Sequence, residues 1–484
     1  MSTSKTIFSG IFWTSLQAIV QRSFRFIIKL FLARLLFPED FGVVGMAVVF
    51  TSFIQVFSDL GFGQALIQRK TEKLTDSYFN TAFWTNVGWS ILIYLIIAFV
   101  IAPFSSWFYG EEILIKIIPV LGISVLINPL ILVHRAQLTK EMDFKKLAVI
   151  NNTSSIGSGI LALMLAYGGF GVWALVFNSI AQFIIAVPQY FFATGWKPKF
   201  IWKKEHFKDL LGFGAFTSFS ALVARFANQG DYLLIGKFIG KFELGLYSFA
   251  FIITDAIRSQ IKTVINSVLY PIYSKYQDEK TKQFKLYTKS IFFNSLIIVP
   301  LMSVLFFDPN FLLVFFGDKW EGSLIIIKII AVSSVIEIIT TSFPSLLRAN
   351  NLPRLEFKIE VIKIMIFYLP LILIGVIYYG IIGAAIGVLI SRILGAIINL
   401  IVMEKWLKLS SVIVLKEFFK GFLPSFLSIL ICYLIFSFIK MNFLYESFVK
   451  VFFLISLIAG LTFLINQKEL KRVYIIYRNR NNSL

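Results

Sequence analysis

Cysteine is almost absent: Cys432 stands alone, so no internal disulfide can form. The two histidines, His134 and His206, have no partner at metal-ligand spacing. No GxSxG, Walker loop or Cys pair occurs, which removes the commonest signatures of a catalytic nucleophile, a phosphate cradle and a redox pair. We therefore expect no cofactor, no metal and no enzymatic activity. Charge is scarce too, at 15% of the 484 residues, and no polar stretch is long enough to form a soluble domain. What fills the chain instead is 58% hydrophobic side chains, 17% of residues being aromatic. That is too much apolar surface for a soluble globule, so the chain is read as an integral membrane protein, all-α.

A spanning helix needs about 20 apolar residues to cross a hydrocarbon core of about 30 Å. Fourteen such runs lie at 9–35, 41–67, 79–104, 113–134, 147–168, 170–193, 209–236, 244–270, 287–307, 323–346, 358–378, 380–402, 418–439 and 445–465. The first helix continues past any small-residue cleavage site, so no removable signal peptide is expected. The net charge of +20 might suggest nucleic acid, but its distribution argues otherwise. Thirty of the 46 basic residues fall in the alternate segments Arg69–Lys73, Arg135–Lys146, Lys197–Lys208, Lys275–Lys289, Arg348–Lys363, Lys405–Lys420 and Lys468–Arg480. The turns between them, such as SSWFYGEE and YGGFGV, hold almost none. By the positive-inside rule the basic loops are cytoplasmic, which puts both termini inside and requires an even number of spans. The expected partners of these loops are anionic membrane lipids, not nucleic acid.

WTSLQAIVQR at Trp13–Arg22 returns as FTSFSALVAR at Phe216–Arg225, with five of ten positions identical. The same ungapped shift of 203 residues sets Arg34 on Lys237, Asp40 on Glu243, Gly42 on Gly245 and Ala47 on Ala250. Such self-similarity points to two equivalent units of six helices. Six is even, so both units start from the same side and are parallel repeats, with a cavity expected between two lobes. The expected organisation is an N-terminal lobe over 1–194, a basic cytoplasmic linker over 195–208 and a C-terminal lobe over 209–403. An amphipathic linker and helices 13–14 follow over 404–466, then a basic cytoplasmic tail over 467–484.

Several charges fall where the bilayer would be deepest. A rise of about 1.5 Å per residue puts Arg22 roughly 20 Å into the first helix, and Arg225 about as deep in the seventh. Arg22, Arg25 and Lys29 are spaced i, i+3, i+7, so they share one helix face. Asp255, Arg258 and Lys262 repeat that spacing, and Glu337 and Arg392 also fall near mid-depth. A charge at the bilayer centre costs about 2.5–3.5 kcal/mol on insertion scales, so these residues must face a wet cavity or one another. Mutual pairing, Asp255 with Arg258 or Lys262 for instance, would only fix helix packing. The functional reading is a cationic surface of Arg22, Arg25, Lys29, Arg225, Arg258 and Arg392 for an anionic substrate, since arginine grips phosphate through paired hydrogen bonds. Asp255 and Glu337 are then the candidates for ion coupling. Asp59 sits nearer the cytoplasmic surface and reads as an interfacial or gating residue. Asn80, Trp84, Asn151, Asn152, Asn178 and Gln182 are polar or aromatic within spans, as sugar contacts or as interhelical packing.

The best enzymatic hint is Glu39-Asp40 in the first outer loop, where membrane glycosyltransferases place acids. That loop is only about five residues long, too short for a catalytic platform. The longest outer segment, Asp308–Gly322, is also modest, which argues against a polysaccharide polymerase.

PEDFGVVGMAVVF (38–50), SDLGFGQALIQRK (58–70), TAFWTNV (81–87), NPLILVHRAQLTKEMDFKKLA (128–148) and GGFGVWALVF (168–177) together resemble the Wzx-type polysaccharide exporters. These are a branch of the multidrug/oligosaccharidyl-lipid/polysaccharide superfamily, and the flippases of colanic-acid and teichuronic-acid type are the nearest match. The resemblance is specific over about the first 200 residues and looser afterwards. It implies a fourteen-helix, two-lobed, V-shaped transporter in the bacterial cytoplasmic membrane, flipping undecaprenyl-diphosphate-linked oligosaccharide repeat units for lipopolysaccharide or exopolysaccharide assembly. It also implies alternating access driven by an ion gradient, with polysaccharide polymerase and chain-length machinery as further partners. Arg22, Arg25, Arg225 and Arg258 match the family's cationic cavity by depth and charge, not by a motif. Two alternatives stay open: a multidrug/cation antiporter of the same superfamily, which would favour an acidic cavity, and a membrane glycosyltransferase or polymerase.

Overall fold

The computed structural model describes residues 3–58, 60–69, 75–211, 229–438, 443–467, 469 and 471. Among them the regular structure is helical, with no strand. The chain divides into two compact units, Met1–Ser248 and Phe249–Leu484. The first holds α1 (Thr3–Leu35), α2 (Pro38–Ser58), α3 (Phe62–Gln68), α4 (Asp76–Tyr109), α5 (Leu114–Lys140), α6 (Phe144–Tyr167), α7 (Val172–Thr194), α8 (Lys204–Leu211) and α9 (229–238). Helix α10 (Lys241–Lys275) begins there and continues into the second unit. The second unit adds α11 (Lys280–Phe307), α12 (Phe311–Phe316), α13 (Leu324–Ile338), α14 (Phe343–Ala349), α15 (Pro353–Leu407), α16 (Ser411–Phe438) and α17 (Phe443–Ile465).

These helices start and stop where local chemistry directs. Asp143 accepts the Lys146 backbone N–H at 3.1 Å and caps α6, while Gly110 takes the left-handed conformation that closes α4. Hydroxyls inside the helices return their hydrogen bonds to the preceding turn, as Thr51 does to the Ala47 carbonyl at 3.0 Å and Ser154 to that of Ile150 at 2.6 Å. No water is needed for them in hydrocarbon. Small residues set the helix contacts. Gly159 of α6 lets α1 approach so closely that an added Cβ would lie 2.7 Å from Ile28 and 2.8 Å from Phe24. In the second unit α11, α16 and α17 share a core of Phe307, Cys432, Leu454 and Ile458. Outward faces are apolar as well: Phe99, Trp107 and Phe452 are exposed, as side chains that meet lipid should be.

Nine helical segments among the described residues are long and apolar enough to cross a membrane, against fourteen runs laid out in the sequence. One reason is that runs 358–378 and 380–402 lie in a single 55-residue segment, Pro353–Leu407. The chain reverses inside it at Gly380, with φ 59° and ψ −144°, a conformation essentially restricted to glycine. The two arms then touch backbone to backbone. A Cβ on Gly375 would lie 2.2 Å from the Gly383 carbonyl oxygen, and one on Gly383 would lie 2.1 Å from that of Gly375. A second reason is charge: α1 is 33 residues long, ample for a crossing, but it carries Arg22, Arg25, Lys29 and Arg34.

One contact in the first unit relates the two sequence repeats directly. A Cβ on Gly42 would lie 1.7 Å from the Lys241 carbonyl oxygen, and a Cβ on Gly245 would lie 1.8 Å from that of Pro38. Gly42 and Gly245 are equated by the 203-residue shift, and so are Pro38 and Lys241. The first turns of α2 and α10 therefore cross through a reciprocal contact that only glycine permits. Around it Lys241 pairs with Glu111 at 2.8 Å, and Lys237 donates to the Phe108 carbonyl.

Candidate functional site

The densest ionic group within the helices lies in the second unit, where α10, α13 and α15 each contribute. Arg258 is the midpoint of α10, 17 residues from either end. Its guanidinium pairs with Asp255 one turn earlier, Nε to Oδ1 at 2.9 Å, and with Glu337 of α13. Arg392, midway along the second arm of α15, places Nε 3.5 Å from Glu337 Oε2. Its Nη1 donates to Ser333 Oγ at 2.9 Å and to Ser334 Oγ at 3.4 Å. Glu337 Oε2 is thus shared by two guanidinium groups. The three side chains are 16–21% exposed, and Asp255 is 40% exposed, so the group is neither sealed in the core nor on the open surface.

The acid stands at a break in its helix. Helix α13 stops at Ile338, residues 339–342 form turns, and α14 restarts at Phe343. Glu337 therefore stands in the last turn of an interrupted helix, and the carbonyls of Ile336, Glu337 and Ile338 are taken up by the N–H groups of Ile339, Thr340 and Thr341. The group as a whole balances two carboxylates against two guanidiniums, which relieves the cost of charge at this depth.

In the first unit, α1 carries the predicted cationic stripe. Arg22 is half-buried, and Arg25 and Lys29 are exposed on the same face. Arg25 Nη2 donates to Gln182 Oε1 of α7 at 3.2 Å. Arg225 and Asp59 lie outside the described residues, as does the side chain of Lys262. The structure thus brings Asp255, Arg258, Glu337 and Arg392 together in the second unit, and carries Arg22, Arg25 and Lys29 along one face of α1 in the first.

Ser333, Ser334 and the buried acid Asp231 have no place in the sequence reading. Asp231 of α9 is 2% exposed and accepts the Tyr247 hydroxyl at 2.9 Å. The serines carry no sequence signal at all, whereas an Asp in the run DYLLIG is a visible anomaly. Two of the polar and aromatic residues within spans contact the basic linker. Trp84 donates its indole N–H to the Lys199 carbonyl at 2.8 Å and stacks on Phe200 with centroids 4.4 Å apart. Asn80 accepts the Lys199 backbone N–H at 2.5 Å. Both pin the basic linker to α4, and Trp196 adds an indole bond to Asp76 at 2.8 Å. Where α8 follows, Asp209 pairs with Arg69 and accepts the Tyr78 hydroxyl at 3.0 Å. The Arg69 guanidinium holds the Asp209 carboxyl below the usual carboxylate range. Both histidines are engaged: His134 Nδ1 lies 2.6 Å from Thr194 Oγ1, and His206 stacks on Tyr78 with centroids 3.7 Å apart. Among the described residues no group of three or more His, Cys, Asp and Glu could hold a metal ion.

With this geometry in hand, comparison with known proteins is informative. A family profile described as polysaccharide biosynthesis protein matches residues 31–325. The chain is 26% identical over 370 residues to the teichuronic acid biosynthesis protein TuaB of Bacillus subtilis, covering 74% of each chain. It is 23% identical over 393 residues to the lipopolysaccharide biosynthesis protein WzxC of Escherichia coli, covering 80% of this chain and 78% of that one. Its fold is similar to that of the lipid II flippase MurJ in an inward closed conformation, with a TM-score of 0.75, 15% identity and coverage of 95% and 100%. An inward-facing MATE multidrug transporter of the MOP superfamily is also similar, with a TM-score of 0.63, 16% identity and coverage of 81% and 96%.

Proposed function

The chain belongs to the polysaccharide biosynthesis protein family, and from that premise we propose that it is a flippase for undecaprenyl-diphosphate-linked oligosaccharide repeat units. It carries them from the cytoplasmic to the outer leaflet of the bacterial cytoplasmic membrane, by alternating access, for delivery to a polysaccharide polymerase and its chain-length machinery. Both termini are cytoplasmic in this reading, because the alternate loops are basic. The observation that carries it is the convergence of the mid-helix residues Arg258 and Arg392, from two helices, on one carboxylate oxygen of Glu337. Two guanidinium forks that converge on one oxygen suit the several oxygens of a diphosphate, and their partial burial strengthens each charged hydrogen bond. The row Arg22, Arg25 and Lys29, with Arg225 as the repeat equivalent of Arg22, is in this reading a cationic surface of its own in the first unit.

A cation antiporter on the same fold would need carboxylates ready for a cation. Asp255 and Glu337 instead bond to arginine, which supports the anionic substrate. Complementation of a flippase-null bacterium, with accumulation of radiolabelled lipid-linked repeat units as readout, tests the proposal. The native chain restores export, Arg22→Ala with Arg225→Ala abolishes it while membrane insertion persists, and normal export by that double variant would sink the cationic route.

A further inference from the structure

We propose that Glu337 is an internal stand-in for the substrate's diphosphate, holding the place of a phosphoryl oxygen between Arg258 and Arg392 until the substrate displaces it. This inference rests on the flippase reading above. Three features of the group point to it. Oε2 of Glu337 is shared by Arg258 Nη1 and Arg392 Nε, the position an oxygen of a bridging phosphate would take between two guanidiniums. Each arginine also has an anchor of its own: Asp255 one turn away for Arg258, and the hydroxyls of Ser333 and Ser334 for Arg392. Both guanidiniums therefore keep their orientation when the shared carboxylate departs. Glu337, in contrast, stands one residue before Ile338 ends α13 and the 339–342 turns begin, and its carboxylate can leave the two guanidiniums by rotation about its own side-chain bonds.

The exchange has a built-in selectivity. A singly charged carboxylate bridging two arginines is readily outbid by a diphosphate, which brings more negative charge and more acceptor oxygens to the same forks. A group no more highly charged than the carboxylate has little advantage. The stand-in also gives a route to release, because the returning Glu337 competes with the departing diphosphate and prevents a dead-end complex. Tight binding to a fixed pair of arginines would slow turnover; a tethered competitor removes that trap.

The probe is geranyl diphosphate, titrated into the detergent-solubilised full-length chain, with geranyl monophosphate and inorganic pyrophosphate as companion ligands. Glu337→Gln removes the competing charge, so we expect geranyl diphosphate to bind on the order of tenfold tighter, about 1.4 kcal/mol, while the flipping rate in liposomes falls. Inorganic pyrophosphate should tighten likewise, since the diphosphate group is what is recognised, and geranyl monophosphate should tighten less. Unchanged or weaker diphosphate binding by a folded Glu337→Gln overturns the stand-in role, as does equal tightening of monophosphate and diphosphate. Where Glu337→Gln does not fold, Glu337→Asp tests the same point, because withdrawing the carboxylate by one methylene should also tighten diphosphate binding. Binding to the native chain without any tightening in the variants sinks the stand-in alone; absence of binding to native and variant chains alike brings down the flippase reading with it.

Discussion

A carboxylate inside a membrane helix persists only where something neutralises it, and Glu337 has two arginines at the end of an interrupted helix. Arg258 is the keystone of that group, since Asp255 and Glu337 both depend on it. Arg258→Ala should lower stability by on the order of 2 kcal/mol, less than a fully buried pair would because the group keeps some exposure, and should abolish export; thermal unfolding of the solubilised chain and complementation check the two effects. At the membrane surface, Asp209 makes a pH-dependent contribution. Its folded carboxyl sits below its unfolded value, so the Arg69 pair stabilises the fold above the unfolded carboxylate range and is lost as pH falls through the depressed folded value. Asp209→Asn should cost no more than about 1 kcal/mol at neutral pH, the pair being partly exposed and screened by solvent, and the thermal curves of variant and native chains should converge in acid. At this scale the sequence was only partly legible. The i, i+3, i+7 spacings revealed the Arg22 row and the Asp255–Arg258 pair. That Glu337 would join two arginines, 79 residues before it and 55 after it, depends on packing among three helices and leaves no local trace. Asn80 and Trp84 were ambiguous for a related reason: their partners are backbone groups of the linker, which no side-chain pattern announces.

Elements are governed here by glycine more than by apolar bulk, because in lipid the helices associate through close backbone approach. Gly380→Ala should destabilise by about 1–3 kcal/mol, the strain of a side chain at φ 59° and ψ −144°. Thermal unfolding of the purified variant measures it. The Gly42 and Gly245 crossing offers a sharper test. Gly42→Ala and Gly245→Ala each drive a methyl into a backbone carbonyl and should each cost about 1–3 kcal/mol. Their double variant should cost less than the sum, since the first substitution already separates the helices that the second would force apart. A strictly additive double-mutant cycle would show that the two contacts are independent.

For the whole molecule, periodicity and charge alternation were strong signals. Long apolar runs and alternate basic loops imposed an all-helical membrane chain, and motifs in the first 200 residues placed it among polysaccharide exporters. Span number was harder to read: a helical hairpin such as Pro353–Leu407 joins two runs without a polar break, and a charged helix such as α1 falls short in hydropathy while exceeding the length of a crossing.

The reciprocal crossing carries one more consequence. When position 42 meets 241 and position 245 meets 38, the pattern is that of two copies of one shorter chain meeting face to face around a twofold axis. Beyond the crossing the correspondence stops: under the same shift Asp255 and Arg258 fall on the uncharged Ser52 and Gln55. The glycine contact thus holds both repeats to one local geometry, while the paired charges of Asp255 and Arg258 are carried by one repeat alone.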